Sequence, residues 1–241
     1  MLPMRLISYN IHKGIGGRDR LYRLSRILDV IEQENPDICC LQEVDRGVPR
    51  SRFNDQPRLL SDVLCAVGCM YQVNVRLKQG GYGNLLLTRW PVSEKHSISL
   101  GLPGKKPRGA QLAVIDSPEG SLRLVNVHLG LGEKERHQQI RHLLGHHFFR
   151  ATADLPTVIA GDTNDWRNTL AEGPLAENGF KHATAPISRY RTFPSYLSVG
   201  SLDKAFHCSA IRIGHVRVVR SNLAKIASDH LPLVVDLHLN H

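Results

Sequence analysis

The sequence predicts an α+β fold, and three observations carry that expectation. A strand pattern, an amphipathic helix and a second strand follow one another at the start of the chain. Strand-like stretches then crowd together through the middle, separated by Gly- and Pro-containing turns rather than helices. Several of the strands also end on an acidic, amide or imidazole side chain. The 241 residues, 41% of them hydrophobic, suffice for one large domain covering 1–241, with no repeat, low-complexity tract or linker to divide it.

Arg5 to Asn10 (RLISYN) reads as the first strand, followed by His12 and a glycine loop from Gly14 to Gly17. Asp19 offers a cap to a helix with apolar positions Leu21, Leu24, Ile27, Leu28 and Ile31, and Asn35-Pro36 stops it. Asp37 to Gln42 (DICCLQ) is a buried strand with Glu43 at its end. Strand, helix and strand in that order form a crossover unit, which brings Asn10 and Glu43 to one rim. An arginine-rich loop, Arg46–Arg58, leads to a helix over Leu59–Val67 closed by Gly68. Strands are then expected at Tyr71–Leu77, Asn84–Thr88, Ser93–Leu100, Gln111–Asp116 and Leu122–Leu129. In the last of these Leu122, Leu124, Asn126 and His128 share one face, so His128 stands at a strand end. Glu133–Arg150 reads as a helix with acids early and bases late, matching its dipole. The cluster His142, His146 and His147 on it reads as a solvated face. Ser201–His207 (SLDKAFH), Arg212–Val219 and Leu231–Leu239 complete the chain, the last two as strands.

The stretch Thr157–Asp165 (TVIAGDTND) holds the densest chemistry. Its short β-branched run reads as a buried strand, and Gly161 permits a sharp turn or a close approach. Asp162, Asn164 and Asp165 follow, residues able to hold a cation or a water. Asp162 and Asn164 are two apart, so an extended backbone would point both to one side, whereas an Asx turn is the structural alternative.

Lys and Arg number 31 against 22 Asp and Glu, a formal charge of +9. Such a surface favours polyanions: nucleic acid, anionic phospholipid headgroups or phosphorylated metabolites. No apolar run reaches the ~18 residues of a membrane-spanning helix. The N-terminus shows no signal-peptide pattern, and the five cysteines follow no disulfide or zinc spacing, so buried free thiols and a cytoplasmic setting are expected. No segment marks an obligate protein partner.

Asn10, Glu43, His128, Asp162, Asn164, Asp203, Asp229 and His230 thus form a set of polar residues at or near strand ends. Acidic oxygens suit a hard divalent cation, and carboxylates, amides and histidines around it suit hydrolysis of a phosphoester. The set resembles the endonuclease/exonuclease/phosphatase superfamily. The matching pieces, in order, are SYNIH, LQEV, GNLLLTRWP, PRG, VNVHLG, AGDTND, SLDKAF and SDHLP, which carry Asn10, Glu43, Asn84, Arg108, His128, Asp162 with Asn164, Asp203, and Asp229 with His230.

The resemblance implies a four-layered α/β/β/α sandwich, two packed mixed β-sheets flanked by helices. It also implies a phosphodiesterase dependent on Mg²⁺ or Mn²⁺, with Glu43, Asn10 and Asp229 around the metal. Asp162, Asn164, His128, His230 and Asp203 would be the catalytic group, with Asp203 orienting His230, and Arg108 and Asn84 would face substrate. Thr192–Tyr196 (TFPSY) is similar to the sphingomyelinase-like and lipid-remodelling branch, and Val44-Asp45-Arg46 lacks the lysine usual after the glutamate in abasic-site endonucleases. Nucleic acid and phospholipid or small phosphodiesters both stay open as substrates. Arg46, Arg50, Arg52, Lys105, Lys106 and Arg108 would supply a basic track for the former. The latter calls for exposed apolar loop residues, for which only Leu102 and Trp90 are candidates. The alternative to an enzyme is a non-catalytic phosphate- or polyanion-binding protein on the same fold.

Overall fold

The computed structural model describes residues 2–240. Its strands are β1 (Met4–Asn10), β2 (Ile38–Arg46), β3 (Gly68–Arg76), β4 (Gly81–Thr88), β5 (Val92–Ser99), β6 (Gly109–Ser117), β7 (Gly120–His128), β8 (Thr157–Asp162), β9 (Lys181–His182), β10 (Asp203–His207), β11 (Ile211–Val218) and β12 (Leu233–Leu239). The helices are α1 (Leu24–Glu34), α2 (Gln56–Val63), α3 (Glu133–Gly145), α4 (His147–Ala151), α5 (Thr169–Glu172), α6 (Pro174–Glu177) and α7 (Asn222–Ala227). Two six-stranded sheets form, in the orders β11-β12-β1-β2-β4-β3 and β5-β6-β7-β8-β10-β9. Both are mixed: β1 runs parallel to β2, β7 parallel to β8, and the neighbouring pairs β1–β12 and β8–β10 are antiparallel.

The period-2 alternation of the strands sets the layers. Leu6, Cys40 and Leu86 of the first sheet meet Ala113, Leu124, Val158 and Ala205 of the second in a central core. The next residue along, Ile7, Cys39 or Leu85, points to the opposite face, where Ile27 and Ile31 of α1 and Ala224 and Ala227 of α7 cover it. On the outer face of the second sheet, Val125, Val127 and Ile159 are covered by Ile140 and Leu143 of α3. The result is the expected α/β/β/α sandwich. Just beneath one rim the two sheets are joined by a buried amide network: Gln42 Nε2 donates to Asn126 Oδ1 at 2.8 Å, and Asn126 Nδ2 to Gln111 Oε1 at 2.9 Å.

Several boundaries differ from the sequence reading, each for a local reason. Asp19 does not cap α1; its carboxylate accepts from the Leu21 N–H at 3.0 Å, and the helix begins at Leu24. Helix α2 starts earlier than expected because Asp55 caps it, accepting from the Arg58 N–H at 3.1 Å. It therefore ends before Cys65, whose thiol is exposed rather than buried as expected, while Gly68 and Cys69 open β3. The long helix over 133–150 breaks at His146, whose ψ of 140° is extended. Strand β2 does not stop at Gln42. It runs on to Arg46 through a bulge, where its register against β4 shifts between Leu41 and Val44.

Candidate active site

The strand ends meet at one rim, and register explains why. His128 on β7 lies beside Asp162 on β8, and Asp162 beside Asp203 on β10, so three chemistry-bearing side chains form a row across the second sheet. Gly161 makes the middle position feasible: its φ is +147°, and a Cβ there would fall 2.0 Å from the Val127 carbonyl oxygen. The first sheet faces this row with Asn10, whose Nδ2 donates to Asp162 Oδ2 at 2.9 Å across the gap between the sheets.

Asp162 is fully buried at the centre. Its Oδ1 accepts from the Asn164 N–H at 3.0 Å, so the segment after β8 is an Asx turn, with Asn164 at φ +51°, rather than extended chain. The Asn164 side chain turns to the Leu129 carbonyl at 2.9 Å. Around Asp162 Oδ2 stand His128 Nε2 at 3.4 Å and His230 Nε2 at 3.8 Å. Burial, with nearby Asp203, outweighs His230 and lifts the Asp162 carboxyl above the ordinary range.

The two imidazoles are held in opposite states. Arg108 donates from Nη1 to His128 Nε2 at 2.6 Å, and burial together with that guanidinium keeps His128 neutral. His230 donates from Nδ1 to Asp203 Oδ2 at 2.7 Å. Burial opposes a charge on His230, but Asp203 and Asp162 outweigh it and raise its pKa. A neutral acceptor and a cationic donor thus flank one carboxylate.

Glu43 occupies the β2 bulge with φ +56°, which turns it out of the ladder, and its carboxylate pairs with the Lys13 ammonium. Burial disfavours the Glu43 charge, but the Lys13 ammonium beside it holds it ionised, well below its ordinary pKa. Asp229, half-buried, lies 3.8 Å from His12 Nε2, and the adjacent Ser228 hydroxyl donates to the Asn10 carbonyl at 2.7 Å. Among the described residues, ligand atoms of Asp162, Asp203 and His230 lie within 4.8 Å of one another; Glu43 is not part of that cluster. Asp203 Oδ1 is buried without a hydrogen-bond partner.

Two residues singled out from the sequence are spent elsewhere. Asn84 is fully buried and donates to the Gly109 carbonyl at 3.0 Å while accepting from Asn74 at 3.1 Å, so it braces the start of β6 beside Arg108 instead of facing substrate. Asp165 does not open to the cleft either. It accepts from the Leu170 N–H in the first turn of α5 at 2.9 Å, and meets Arg136 at 3.4 Å and fully buried Lys204 at 3.5 Å. Of the expected basic track, Arg50 is locked bidentately on Asp45 at 2.7 and 2.9 Å, Arg108 is buried, and Lys105 and Lys106 stay exposed.

Sequence reasoning did not find Lys13 or the π contact of Phe193, whose ring centroid lies 4.8 Å from that of His230. Nothing in the local pattern marks Lys13; a cation three residues after a strand is ordinary until the bulge brings Glu43 to it. The expected apolar loop residues were also misplaced. Leu102 and Trp90 are partly buried, whereas Leu131, Trp166, Tyr196, Leu197 and Val199 are exposed.

Comparison with known proteins agrees with this architecture. The chain is 26% identical over 246 residues to Uncharacterized protein YbhP of Escherichia coli (strain K12), covering 98% of this chain and 96% of the relative. An endonuclease/exonuclease/phosphatase structure from Beutenbergia cavernae superimposes with a TM-score of 0.83 at 24% identity, covering 100% of this chain and 72% of that one. The mannosyl-6-phosphatase of Bacteroides thetaiotaomicron superimposes with a TM-score of 0.75 at 17% identity, over 98% of this chain and 100% of that one. The family model for the Endonuclease/Exonuclease/phosphatase family matches residues 7–230, from within β1 to His230 itself. Covering every strand from β2 to β11 and every strand-end residue described above, that match shows that the chain belongs to the endonuclease/exonuclease/phosphatase family, a family of phosphoester hydrolases.

Proposed function

We propose that the chain is a divalent-metal-dependent phosphodiesterase that cleaves a P–O bond by attack of water. The observation that carries this reading is Asp162: a buried carboxylate gripped by the Asn10 amide and flanked by His128 and His230 at 3.4 and 3.8 Å. A carboxylate with a raised pKa is a better proton acceptor, so Asp162 orients a water and takes its proton. His230, kept cationic by Asp203, donates to a phosphoryl oxygen or to the leaving oxygen. Arg108, with His128 as its fixed partner, offsets charge on the remaining oxygens, and Asn164 braces the Asp162 turn.

The donor set fits a hard divalent cation. Glu43 is buried yet ionised, and it already holds a cation, the Lys13 ammonium; the amide of Asn10 and the carboxylate of Asp229 add oxygens, and Mg²⁺ retains waters for the rest. When bound by these residues, Mg²⁺ or Mn²⁺ would supply positive charge against the phosphoryl oxygens. Five free cysteines suit a reducing compartment such as the cytoplasm.

The test is a cleavage screen of purified protein with Mg²⁺ or Mn²⁺ against phosphate mono- and diesters, single- and double-stranded nucleic acids and phospholipids. Metal-dependent hydrolysis lost in Asp162→Asn is the expected result. Hydrolysis of none of them, or activity that Asp162→Asn leaves intact, refutes the reading.

A further inference from the structure

Beside the reaction centre, five large apolar side chains stand in solvent: Leu131 at 72% exposure, Leu197 at 66%, Val199 at 57%, and Trp166 and Tyr196 at 52%. They are contiguous with the site. The Trp166 indole meets Phe193 edge-on with ring centroids 6.0 Å apart, and Phe193 packs against His230. Gly200 is pressed to the same indole, where a Cβ would come within 2.7 Å of it. The loop bearing Tyr196, Leu197 and Val199 is tied down by Ser195, whose N–H donates to the Asp229 carbonyl at 2.7 Å and whose hydroxyl donates to the Ser228 carbonyl at 2.8 Å. Leu131 joins through Arg136, which donates to the Leu131 carbonyl at 2.7 Å and pairs with Asp165, the neighbour of Trp166. Apolar groups anchored in water at the edge of a site mark a surface that something covers.

We propose that this rim seats the enzyme on an anionic phospholipid bilayer, so that the phosphodiester it cleaves is one presented at that surface; the substrate half of this rests on the phosphodiesterase reading. Two features choose the occupant. Leu131, Leu197 and Val199 are aliphatic and offer no π face, so a strand of bases stacked on Trp166 and Tyr196 would leave them wet, whereas the acyl boundary of a bilayer would bury all five. Arg167 follows Trp166, Arg191 opens the loop that bears Tyr196–Val199, and the Lys225 carbonyl accepts from the Ser195 hydroxyl at 3.0 Å; all three residues are exposed, and Arg191–Gly200 contains no acidic residue, which matches anionic headgroups. Trp and Tyr are also the residues that best tolerate the headgroup level.

The chain has two tryptophans, so Trp90→Phe leaves Trp166 as the sole reporter. This protein is titrated with phosphatidylcholine vesicles with and without phosphatidylglycerol, and binding is also read by flotation. The expected result is a blue shift of Trp166 emission and flotation with the anionic vesicles alone. Leu197→Ser with Val199→Ser should weaken that partitioning about tenfold or more at an unchanged melting temperature. Emission that no vesicle moves overturns the proposal, as does partitioning unaffected by the double substitution. A single-stranded oligonucleotide that perturbs Trp166 where vesicles do not would make the rim a nucleic-acid surface instead. These readouts need no turnover, and wild-type hydrolysis of a soluble diester is scored separately. Docking by a protein that cleaves no phosphoester would therefore sink the phosphodiesterase reading while upholding the surface.

Discussion

The Asp203–His230 contact gives the sharpest prediction. Asp203 is fully buried and its Oδ2 lies 2.7 Å from His230 Nδ1, in a site where burial alone would strip the imidazole of its proton. A hydrogen bond to a charged group contributes about 1.5–3 kcal/mol. Asp203→Asn keeps the shape but removes the charge, so turnover should fall by about ten- to a hundredfold, the equivalent of that bond at ~1.4 kcal/mol per tenfold. His230→Ala removes the donor itself and should cost about 10²- to 10⁴-fold, the usual range for a general acid. The double variant should be no worse than His230→Ala, because Asp203 acts through the ring. Steady-state kinetics on a soluble diester with Mg²⁺ measures the cycle. Imidazole ¹⁵N NMR adds a readout that lost packing would not imitate: His230 should titrate at a lower pH in Asp203→Asn. Losses that add in log turnover, or a His230 titration that does not move, would refute the dyad.

Three further outcomes are expected. Glu43→Gln should weaken Mn²⁺ binding, read by calorimetry, by about tenfold or more while far-ultraviolet dichroism stays unchanged; equal affinity would remove Glu43 from the metal site. Gly161→Ala should destabilise the fold by about 3 kcal/mol or more in urea titration, because its Cβ would meet the Val127 carbonyl at 2.0 Å and its φ of +147° disfavours any side chain. His182, stacked on Phe206 and bonded to the Thr184 hydroxyl, is held to a pKa of about 4 by burial and by Lys204. In the unfolded chain it titrates near 6.5, so between these values the unfolded state binds the extra proton and acidification favours unfolding. The loss, about 1–2 kcal/mol after allowance for the ring's partial exposure, should be fully developed below pH 4. Replacing His182 with Gln should flatten that limb of the stability profile, and an unchanged slope would show that the ring does not carry it.

What the sequence determined by itself was the part encoded at short range. The short apolar runs in RLISYN, DICCLQ and TVIAGD report burial directly, because a strand covered on both faces carries apolar residues at successive positions. Polar residues where such runs stop are equally legible, since only a chemical use or a turn accounts for them there. Tertiary structure alone decided how those residues are spent. Asp162, Asp165 and Asn84 look alike in sequence, yet Asp162 faces the cleft, Asp165 is consumed by Lys204 and Arg136, and Asn84 by Asn74 and Gly109. For Asn84 and Asp165 the deciding partners, Asn74, Gly109, Arg136 and Lys204, lie 10 to 39 residues away, and no local pattern contains them. The Glu43 bulge and its meeting with Lys13 likewise depend on how β2 pairs with β4. Exposure of Trp166, Tyr196 and Leu197 is the same kind of fact. An apolar residue in a loop is covered or bare according to what packs above it, and that is settled only once the loops stand around the finished sandwich.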